Sequence, residues 1–302
     1  MLNEQWVRNW GKSMKRFCAA AAFALLAMPS VALADDVTLA ARSWYLFDSL
    51  SSGDQIGTNG AGDTASFTSE TFTVLMKGGS ISYRSDDFLP ATTFTATGLF
   101  GSDTKELTTR GGSVINFPGQ TFQQLMFSEQ RTPQNLRRRD FEVTAQTRIN
   151  DLLSWTLGVR YERARVRFVS QVTNYSSNPF TNKVDVTSVV STPFSGGYDL
   201  FSLRGGVALA APLNEDRRTL LYANAMGFVG RRENKDRIAA PQYDDASFIG
   251  PDLAVGLSHR FAPNIALDIR YRAQFFFSIS GSGSFAEPKT THGPSLGLSY
   301  GF

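Results

Sequence analysis

The sequence contains few of the residues that usually carry catalysis or metal binding. Its 302 residues include one cysteine, Cys18, and two histidines, His259 and His292. A single cysteine excludes an intramolecular disulfide framework, and two distant histidines match no metal-binding spacing. The formal net charge of +3 is too small to indicate a nucleic-acid partner. We therefore expect no cofactor, no metal and no nucleic acid.

Long apolar runs are also missing, except near the N-terminus. Residues 17–28 are almost wholly apolar, after the basic Met14-Lys15-Arg16 and before Ala32-Leu33-Ala34. This order of basic, apolar and small residues is typical of a cleaved secretory signal peptide. The run is too short, and Pro29 follows it too closely, for a membrane-spanning helix. We predict a signal peptide over 1–34, with Met14 as an alternative start, and one domain over 35–302.

The rest of the chain consists of segments that alternate apolar and polar residues. Such alternation indicates half-buried strands, and the 26 glycines and 24 phenylalanines suit tight turns and aromatic girdles. The predicted strands are 37–48, 67–84, 90–100, 138–149, 153–168, 199–213, 219–231, 251–261, 265–277 and 293–302.

The linkers between these segments alternate in length. Short linkers follow the second, fourth, sixth and eighth segments, and long linkers rich in Gly, Ser, Asn and Asp follow the others. Short turns on one rim and long loops on the other are typical of outer-membrane β-barrels. We predict an all-β, antiparallel transmembrane barrel of ten strands, with short periplasmic turns and long extracellular loops. A soluble β-sandwich is the competing interpretation.

The last segment supports the same fold. Leu296, Leu298, Tyr300 and Phe302 alternate with small polar residues up to the end of the chain. The segment resembles the terminal strand of bacterial outer-membrane barrels, whose last aromatic is read by the barrel-insertion machinery. The resemblance implies an outer-membrane location and assigns the insertion signal to Tyr300 and Phe302. It covers the predicted domain at the level of architecture and fixes no subfamily.

Two hairpins predict which residues share a face of the sheet. Between residues 141 and 161 the apolar positions are odd on both strands, which requires a three-residue turn over 150–152. The same reasoning predicts a three-residue turn over 262–264. Glu142 then lies opposite Arg160 on the inward face as an ion pair. The apolar parity changes at residues 78–79, both glycine, and predicts a β-bulge there.

The inward positions predict a charged lumen with a basic excess. Charges shielded from water need partners, so a plug of side chains and a narrow basic pore for small anionic solutes are both compatible. Ten strands lie near the size at which side chains fill a barrel, which disfavours a general porin. The charged residues assigned to the lumen are Arg42, Lys77, Arg84, Glu142, Arg148, Arg160, Glu162, Arg204, Asp252, Arg260, Asp268, Arg270 and Arg272.

Further arginines lie beyond the apolar part of the fourth and fifth segments. The predicted register places Arg139 opposite Arg163 on the lipid-facing side. Like charges in this position repel unless anions lie between them, and guanidinium groups bind phosphate bidentately. A solvated loop base, with Asp140 and Glu162 as local partners, is the alternative. The residues predicted to face lipopolysaccharide are Arg137, Arg139, Arg163, Arg165 and Arg167.

The segment from Gly101 to Asn135 has three interpretations. It forms an extracellular hairpin over the barrel mouth, a constriction folded into the lumen, or two further strands of a twelve-stranded barrel. Its two apolar stretches, 113–117 and 121–127, are compatible with each of these.

Three functions are compatible with such a barrel. The first is a porin-like or structural barrel that passes small anionic solutes, and the second is a surface receptor or adhesin that acts through the long loops. The third is an omptin-like or lipid-modifying enzyme, because omptin proteases resemble this chain in strand number. Omptins combine acidic residues with a histidine on the outer rim. His259 is predicted to face outward near a periplasmic turn, and the candidate acidic companions of His292 are Glu287 in its own segment and Asp244-Asp245 in the seventh loop, which do not form an evident omptin-like site. We therefore expect no catalytic site, and the oligomeric state stays open.

Overall fold

The structure is a computed structural model that describes most of the chain after its N-terminal segment. The predicted signal peptide, residues 1–34, lies outside the described residues. Among the described residues, no helix is both long and apolar enough to cross a membrane. The described residues are 37–49, 54–58, 64–68, 72–85, 89, 91–116, 123–177, 184–235, 246–280 and 288–302.

Ten of the described strands close into one antiparallel barrel. This confirms the predicted all-β fold and its ten barrel strands. β2 and β3 form a separate hairpin within the first long loop. Around the barrel the order is β1, β12, β11, β10, β9, β8, β7, β6, β5, β4 and back to β1. The strands are β1 (Val37–Asp48), β2 (Asp54–Thr58), β3 (Thr64–Thr68), β4 (Phe72–Ser85), β5 (Thr92–Asn116), β6 (Gln123–Arg148), β7 (Leu153–Ser177), β8 (Val184–Pro212), β9 (Thr219–Lys235), β10 (Ala246–Ala262), β11 (Ile265–Ser280) and β12 (Lys289–Gly301).

The segment 101–135 belongs to one long hairpin. β5 and β6 stay paired from Thr92 opposite Thr147 to Asn116 opposite Gln123. The twelve-stranded alternative is therefore wrong, because this segment lengthens two barrel strands and adds none. Within it, residues 113–116 pair with residues 123–126.

Four neighbouring strands are much longer than the others. β5, β6, β7 and β8 contain 25 to 29 residues, whereas β1 and β12 contain 12 and 13. β6 also pairs with β7 as far as Met126, and β7 pairs with β8 as far as Ser177. At about 3.3 Å per residue, this four-stranded sheet rises roughly 40 Å beyond the shorter strands. We term it the wall and define it as residues 103–116, 123–137, 166–177 and 184–197.

Side chains alternate between the two faces of the barrel sheet. Exposed apolar residues such as Leu157, Leu257 and Leu298 cover the outside, whereas Trp44 and Leu46 are buried inside. A broad apolar exterior around a closed sheet suits a lipid bilayer, because contact with water would make such a belt costly.

β4 runs without the predicted bulge. Its register with β1 and β5 continues unbroken through residues 78–79. Phe72, Val74 and Met76 therefore face the interior, where they are buried. The apolar residues change from even to odd positions because the barrel interior is itself apolar near this end of β4. The strand keeps its register. Lys77 consequently points outward and is exposed, which corrects its assignment to the lumen.

The turns define two rims. The short-turn rim carries the turns after β4, β6, β8 and β10, and the long-loop rim carries the wall. The three-residue turn over 150–152 is confirmed, since Arg148 pairs with Ser154 and the amide of Ile149 donates to Leu153 O at 2.9 Å. The turn after β10 is tighter than predicted. Ala262 pairs with Ile265 after a register shift, so a two-residue turn with a bulge replaces the three-residue turn over 262–264.

The barrel closes between its first and last strands. Leu39 pairs with Tyr300, and the amide of Phe302 donates to Val37 O at 3.0 Å. The rings of Tyr300 and Phe302 meet edge to face, with centres 5.0 Å apart, on the exposed outside of the short-turn rim. The final strand therefore has no free edge.

Candidate functional site

The barrel interior holds charged side chains that are almost completely removed from solvent. Arg138 and Arg204 are 1% exposed, and Asp48 and Glu162 are fully buried. Such burial is costly unless each charge is paired and hydrogen-bonded. The contacts of these residues form two clusters that are joined to each other.

The first cluster surrounds Arg138 of β6. Its Nη1 donates to Asp48 Oδ2 of β1 at 2.5 Å, and its Nη2 lies 2.7 Å from Glu162 Oε2 of β7. Tyr198 of β8 donates its hydroxyl to the other oxygen of Glu162 at 2.6 Å. β4 and β5 lie between β1 and β6 in the sheet, so Arg138 links strands that are not neighbours through the barrel interior.

The second cluster surrounds Asp252 of β10. Arg272 of β11 donates from Nε and Nη2 to its two oxygens, at 2.9 and 2.8 Å. Arg272 also donates to Glu142 Oε2 at 3.0 Å, and Arg204 Nη1 of β8 lies 2.7 Å from the same oxygen. Arg204 forms a further ion pair with Asp252. Two arginines and two carboxylates therefore connect β6, β8, β10 and β11.

Arg160 and Gln274 join the two clusters. Arg160 donates to both oxygens of Asp140, and its Nη2 lies 3.3 Å from Glu162 Oε2. Its Nη1 donates to Gln274 Oε1 at 2.5 Å, and Gln274 Nε2 donates to Asp252 at 2.9 Å. All these groups form one assembly, which we term the interior network. Its charged members are Arg138, Arg160, Arg204, Arg272, Asp48, Asp140, Glu142, Glu162 and Asp252.

Apolar side chains fill the space around this network. The Trp44 ring lies 5.9 Å from the guanidinium of Arg160 and 5.4 Å from that of Arg272, within cation–π range. The described side chains thus fill the barrel interior from its middle towards the long-loop rim. The buried apolar cluster consists of Trp44, Leu46, Phe72, Val74, Met76, Leu99, Leu136, Ala164, Val166, Tyr198, Leu200, Phe228, Ala246, Phe248 and Phe276.

The interior near the short-turn rim is more polar and less tightly filled. Arg42 Nε donates to Ser80 Oγ at 2.8 Å, and Arg270 Nε donates to Ser295 Oγ at 2.9 Å. A cavity of about 10 Å³ lies beside Arg42, Arg270 and Asp268. That is about the volume that one water molecule requires.

The charged residues assigned to the lumen from the sequence occupy three environments. Glu142, Arg160, Glu162, Arg204, Asp252 and Arg272 belong to the interior network. Arg42, Asp268 and Arg270 line the small cavity. Arg84, Arg148 and Arg260 are exposed near the short-turn rim, and Arg148 pairs with Asp151 of the adjacent turn. The expected basic excess therefore lies at this rim, because the network contains five carboxylates and four arginines.

Sequence reasoning missed Asp48, Arg138 and Asp140. On β1 and β6 the inward residues occupy even-numbered positions, and all three of these residues do so. The alternation along the strand could therefore have identified them. The predicted fourth strand, 138–149, contains Arg138 and Asp140, but the prediction assigned neither to the lumen and considered Asp140 only as a local partner of the outer arginines. The predicted ion pair is also different. Glu142 lies opposite Arg160 in the register, but Arg160 binds Asp140.

The arginines predicted to face lipopolysaccharide lie where β6 and β7 leave the barrel. Arg137, Arg139, Arg163 and Arg167 are exposed, and Arg139 is opposite Arg163. Asp199 of β8 reduces the expected repulsion. Arg165 Nη2 donates to Asp199 Oδ1 at 3.1 Å, and Arg163 Nε lies 3.8 Å from the same oxygen. Arg165 is thus held by its own protein, which leaves it less available to a lipid phosphate.

Lys77 adds a cation to this side of the barrel. It pairs in register with Phe100, and Phe100 pairs with Arg139. Neighbouring rings among Phe100, Phe141, Tyr161 and Phe201 have centres 4.7 to 6.5 Å apart. Such a row of rings is typical of the aromatic girdles of membrane β-barrels, and these cations lie beside it. We term Lys77, Arg137, Arg139 and Arg163 the outer basic face.

The two histidines make hydrogen bonds to hydroxyl groups. His259 Nδ1 lies 2.9 Å from Thr219 Oγ1, and His292 Nδ1 lies 2.6 Å from the hydroxyl of Tyr271. His292 also stacks on Phe47 on the outer surface, with ring centres 5.2 Å apart. Within the described part of the chain, no group of three or more His, Cys, Asp or Glu side chains is placed to hold a metal ion.

Comparisons with known proteins bear on the fold. No protein-family model matches the sequence, and no curated protein matches it. The outer membrane protease OmpT from Escherichia coli is 10% identical, with a TM-score of 0.49 over 91% of this chain and 99% of that chain. The translocator domain of the autotransporter NalP from Neisseria meningitidis is 10% identical, with a TM-score of 0.35 over 99% and 98%. The P. putida toluene transporter TodX is 9% identical, with a TM-score of 0.28 over 89% and 90%.

These proteins differ in activity, and their likeness to this chain assigns it none of those activities. The closed sheet, apolar exterior and aromatic girdle of this chain define a β-barrel of the outer-membrane type.

Proposed function

We propose that this protein is a structural barrel of the outer membrane that acts at the cell surface, where the wall serves as a receptor or adhesin. The interior network is the observation that carries this proposal. A channel for small anions needs a continuous basic path through the barrel. The network has more carboxylates than arginines, and the cavity below it measures about 10 Å³. A filled barrel is better suited to anchor the wall than to conduct solutes.

We propose the usual orientation for such barrels, with the short-turn rim in the periplasm and the wall outside the cell. The position of Tyr300 and Phe302 on the short-turn rim supports this, since the barrel-insertion machinery would meet them from the periplasm. An enzymatic function has less support. The imidazoles of His259 and His292 bind hydroxyl groups on the outer surface, where a substrate at the barrel mouth would not reach them.

Planar-bilayer recording tests whether the barrel conducts. We expect the wild-type protein to give no stable conductance. The double variant R204A/R272A removes two large side chains from the network and should give a measurable leak. Arg84→Ala, at the exposed short-turn rim, is the matched control and should stay silent. Steady anion-selective conductance of the wild type, reduced by Arg270→Glu, would instead support the channel.

Shortening the wall tests the surface function. Asp103 pairs with Leu136, and Val166 pairs with Gly196, so each pair can be joined by an Asn-Gly turn without changing the register below it. We expect a normally folded barrel whose cells lose autoaggregation and adhesion to surfaces coated with serum proteins. Removal of the separate hairpin 54–68 is the control. Adhesion and autoaggregation unaffected by the shortened wall would contradict the proposal.

We propose lipopolysaccharide as the lipid partner of the outer basic face. Among the described residues, Arg137 and Arg139 have no ion-pair partner within the protein, and both lie at the aromatic girdle. A phosphate between them would relieve their mutual repulsion. The quadruple variant K77Q/R137Q/R139Q/R163Q should co-purify with markedly less lipopolysaccharide, whereas Arg260→Gln should not change the amount. Equal retention by both variants would reject this partner.

A further inference from the structure

Two arginines of the barrel interior stand apart from the interior network. Arg42 of β1 and Arg270 of β11 both line the small cavity near the short-turn rim. Each donates from its Nε to a serine hydroxyl, Arg42 to Ser80 and Arg270 to Ser295. Among the described residues, neither guanidinium forms an ion pair. Two like charges in one partly shielded space are costly unless an anion lies between them.

One carboxylate shares this cavity and leaves the charge uncompensated. Asp268 of β11 lines it too, but it forms no ion pair with a described residue. Two arginines and one carboxylate leave one positive charge. Arg272, the next inward residue of β11, attracts no further carboxylate to this place, because it already binds Glu142 and Asp252. The cavity is therefore surrounded by groups that favour an anion.

Tyr222 of β9 supplies a further donor beside Arg270. Gly256 of β10 lies between them in the register, opposite Arg270 on one side and Tyr222 on the other. A Cβ atom at Gly256 would lie 2.6 Å from Arg270 Cβ and 2.7 Å from Tyr222 Cζ, so both side chains pack over this glycine. The charges of Arg270 and Arg42 both act on Tyr222. Its hydroxyl makes no hydrogen bond within the described part of the chain.

Water reaches this group of side chains, whereas it is excluded from the interior network. Arg42, Arg270 and Tyr222 are half-buried. The network residues Arg138 and Arg204 are 1% exposed. Small polar side chains line the interior between this group and the short-turn rim, and each of them is half-buried or exposed. They are Ser82, Thr95, Thr144, Gln146 and Ser258. We term this space the basin; the interior network closes it on the side of the long-loop rim.

We propose that the basin binds a phosphate group, either free phosphate or the end of a small phosphomonoester, between Arg42, Arg270 and Tyr222. A guanidinium binds phosphate oxygens through paired N–H donors, and the Nη groups are available because the serines engage Nε. A tetrahedral phosphate has enough oxygens for both arginines and the tyrosine hydroxyl, whereas a carboxylate has two. The inference goes beyond the proposed surface function and does not depend on the wall.

Isothermal titration calorimetry with inorganic phosphate tests the proposal, using the full chain in detergent micelles at constant ionic strength. We expect saturable binding by the wild type, and binding weakened about tenfold or more in R42Q/R270Q, which loses both charge-assisted contacts. Tyr222→Phe removes one hydroxyl donor and should weaken binding roughly threefold. R148Q/R260Q removes the same amount of charge at the exposed short-turn rim. It is the matched control and should bind phosphate like the wild type.

Urea unfolding shows whether R42Q/R270Q still folds. Without phosphate, its unfolding midpoint should equal or exceed that of the wild type, because the substitutions remove two charges that repel each other. Added phosphate should raise the midpoint of the wild type, since a ligand that binds the folded state stabilises it, and should leave R42Q/R270Q unchanged.

Two outcomes would overturn the proposal. One is the absence of saturable binding, or equal binding by the wild type and R42Q/R270Q. The other is a loss in R148Q/R260Q as large as that in R42Q/R270Q, which would mean that charge at the rim attracts phosphate without a site. If the site stands, competition with glycerol 3-phosphate identifies its source. Displacement of phosphate would support a phosphomonoester, and no displacement would support the free ion.

Discussion

Arg137, Arg138 and Arg139 are consecutive in the sequence, yet they lie in opposite environments. Arg138 is fully buried and binds Asp48 and Glu162 across the barrel interior. Its two neighbours are exposed on the outer face at the aromatic girdle. This difference arises from the alternation of side chains along a strand. An arginine on the inner face of β6 therefore forms ion pairs between strands, whereas its neighbours on the outer face are available to a lipid phosphate.

Removal of the inner arginine should have the largest effect. Arg138→Met leaves two buried carboxylates without their cation, and we expect it to lower the free energy of unfolding by about 3–5 kcal/mol. Arg139→Met, one residue away on the outer face, should change it by less than about 0.5 kcal/mol. Urea unfolding of both variants in detergent micelles, followed by tryptophan fluorescence, measures the difference.

A second variant separates lost charge pairing from lost packing. R138M/D48L removes an arginine and one of its carboxylates together, and should be more stable than Arg138→Met alone. Replacement of a buried ion pair by apolar groups is often close to neutral, since both desolvation costs disappear with it. If the double variant were less stable than the single one, the contact between Arg138 and Asp48 would not be the source of the effect.

An arginine introduced on the outer face between the aromatic girdle and the short-turn rim should also destabilise the barrel. Val143 lies opposite Val159 on the lipid-facing side. Along β6 it is two residues closer to the short-turn rim than the girdle residue Phe141. We expect Val143→Arg to destabilise the barrel in lipid vesicles by about 2–4 kcal/mol, because its charge would lie in hydrocarbon. Gln171→Arg, on the exposed wall, should have little effect. Similar stability of the two variants would mean that this face does not contact lipid.

Arg165 lies between these two classes of arginine. Its side chain is 22% exposed, and it donates to Asp199 and to two backbone carbonyl oxygens. We expect Arg165→Gln to cost about 1 kcal/mol, since these bonds are partly screened by water. The same unfolding measurement should place it between Arg138→Met and Arg139→Met. A cost equal to that of Arg138→Met would show that partial exposure does not weaken these bonds.

The sequence predicts the barrel well because closure depends on local patterns. Period-two alternation and the alternating linker lengths indicate ten strands, and the register around residues 141–161 follows from parity. The same reasoning fails at β4, where Phe72, Val74 and Met76 are buried inside the barrel. Assigning the apolar positions of a strand to its outward face is correct when the lumen is polar. The lumen of this barrel is partly apolar, so the assignment fails there.

The interior network could be predicted only in part, for a different reason. Membership follows from parity, and Glu142, Arg160 and Arg204 are found in this way. The choice of partners depends on the shape of the closed barrel. Asp48 and Arg138 are 90 positions apart and on strands that are not neighbours. Neither alternation nor hairpin register contains this information, so the pairing of Arg138 with Asp48 was not predictable.

The smallest effect on stability is expected at the end of the chain, on the outer face of the short-turn rim. Phe302 is 55% exposed, so Phe302→Ala should change the free energy of unfolding by less than about 0.5 kcal/mol. If its ring is read during insertion, the same variant should nevertheless assemble more slowly into vesicles that contain the insertion machinery. Phe261→Ala, which removes a ring that is 60% exposed near the same rim, is the matched control. Equal assembly rates for the two variants would make Phe302 an ordinary girdle residue, whereas a delay confined to Phe302→Ala would support its assignment as part of the insertion signal.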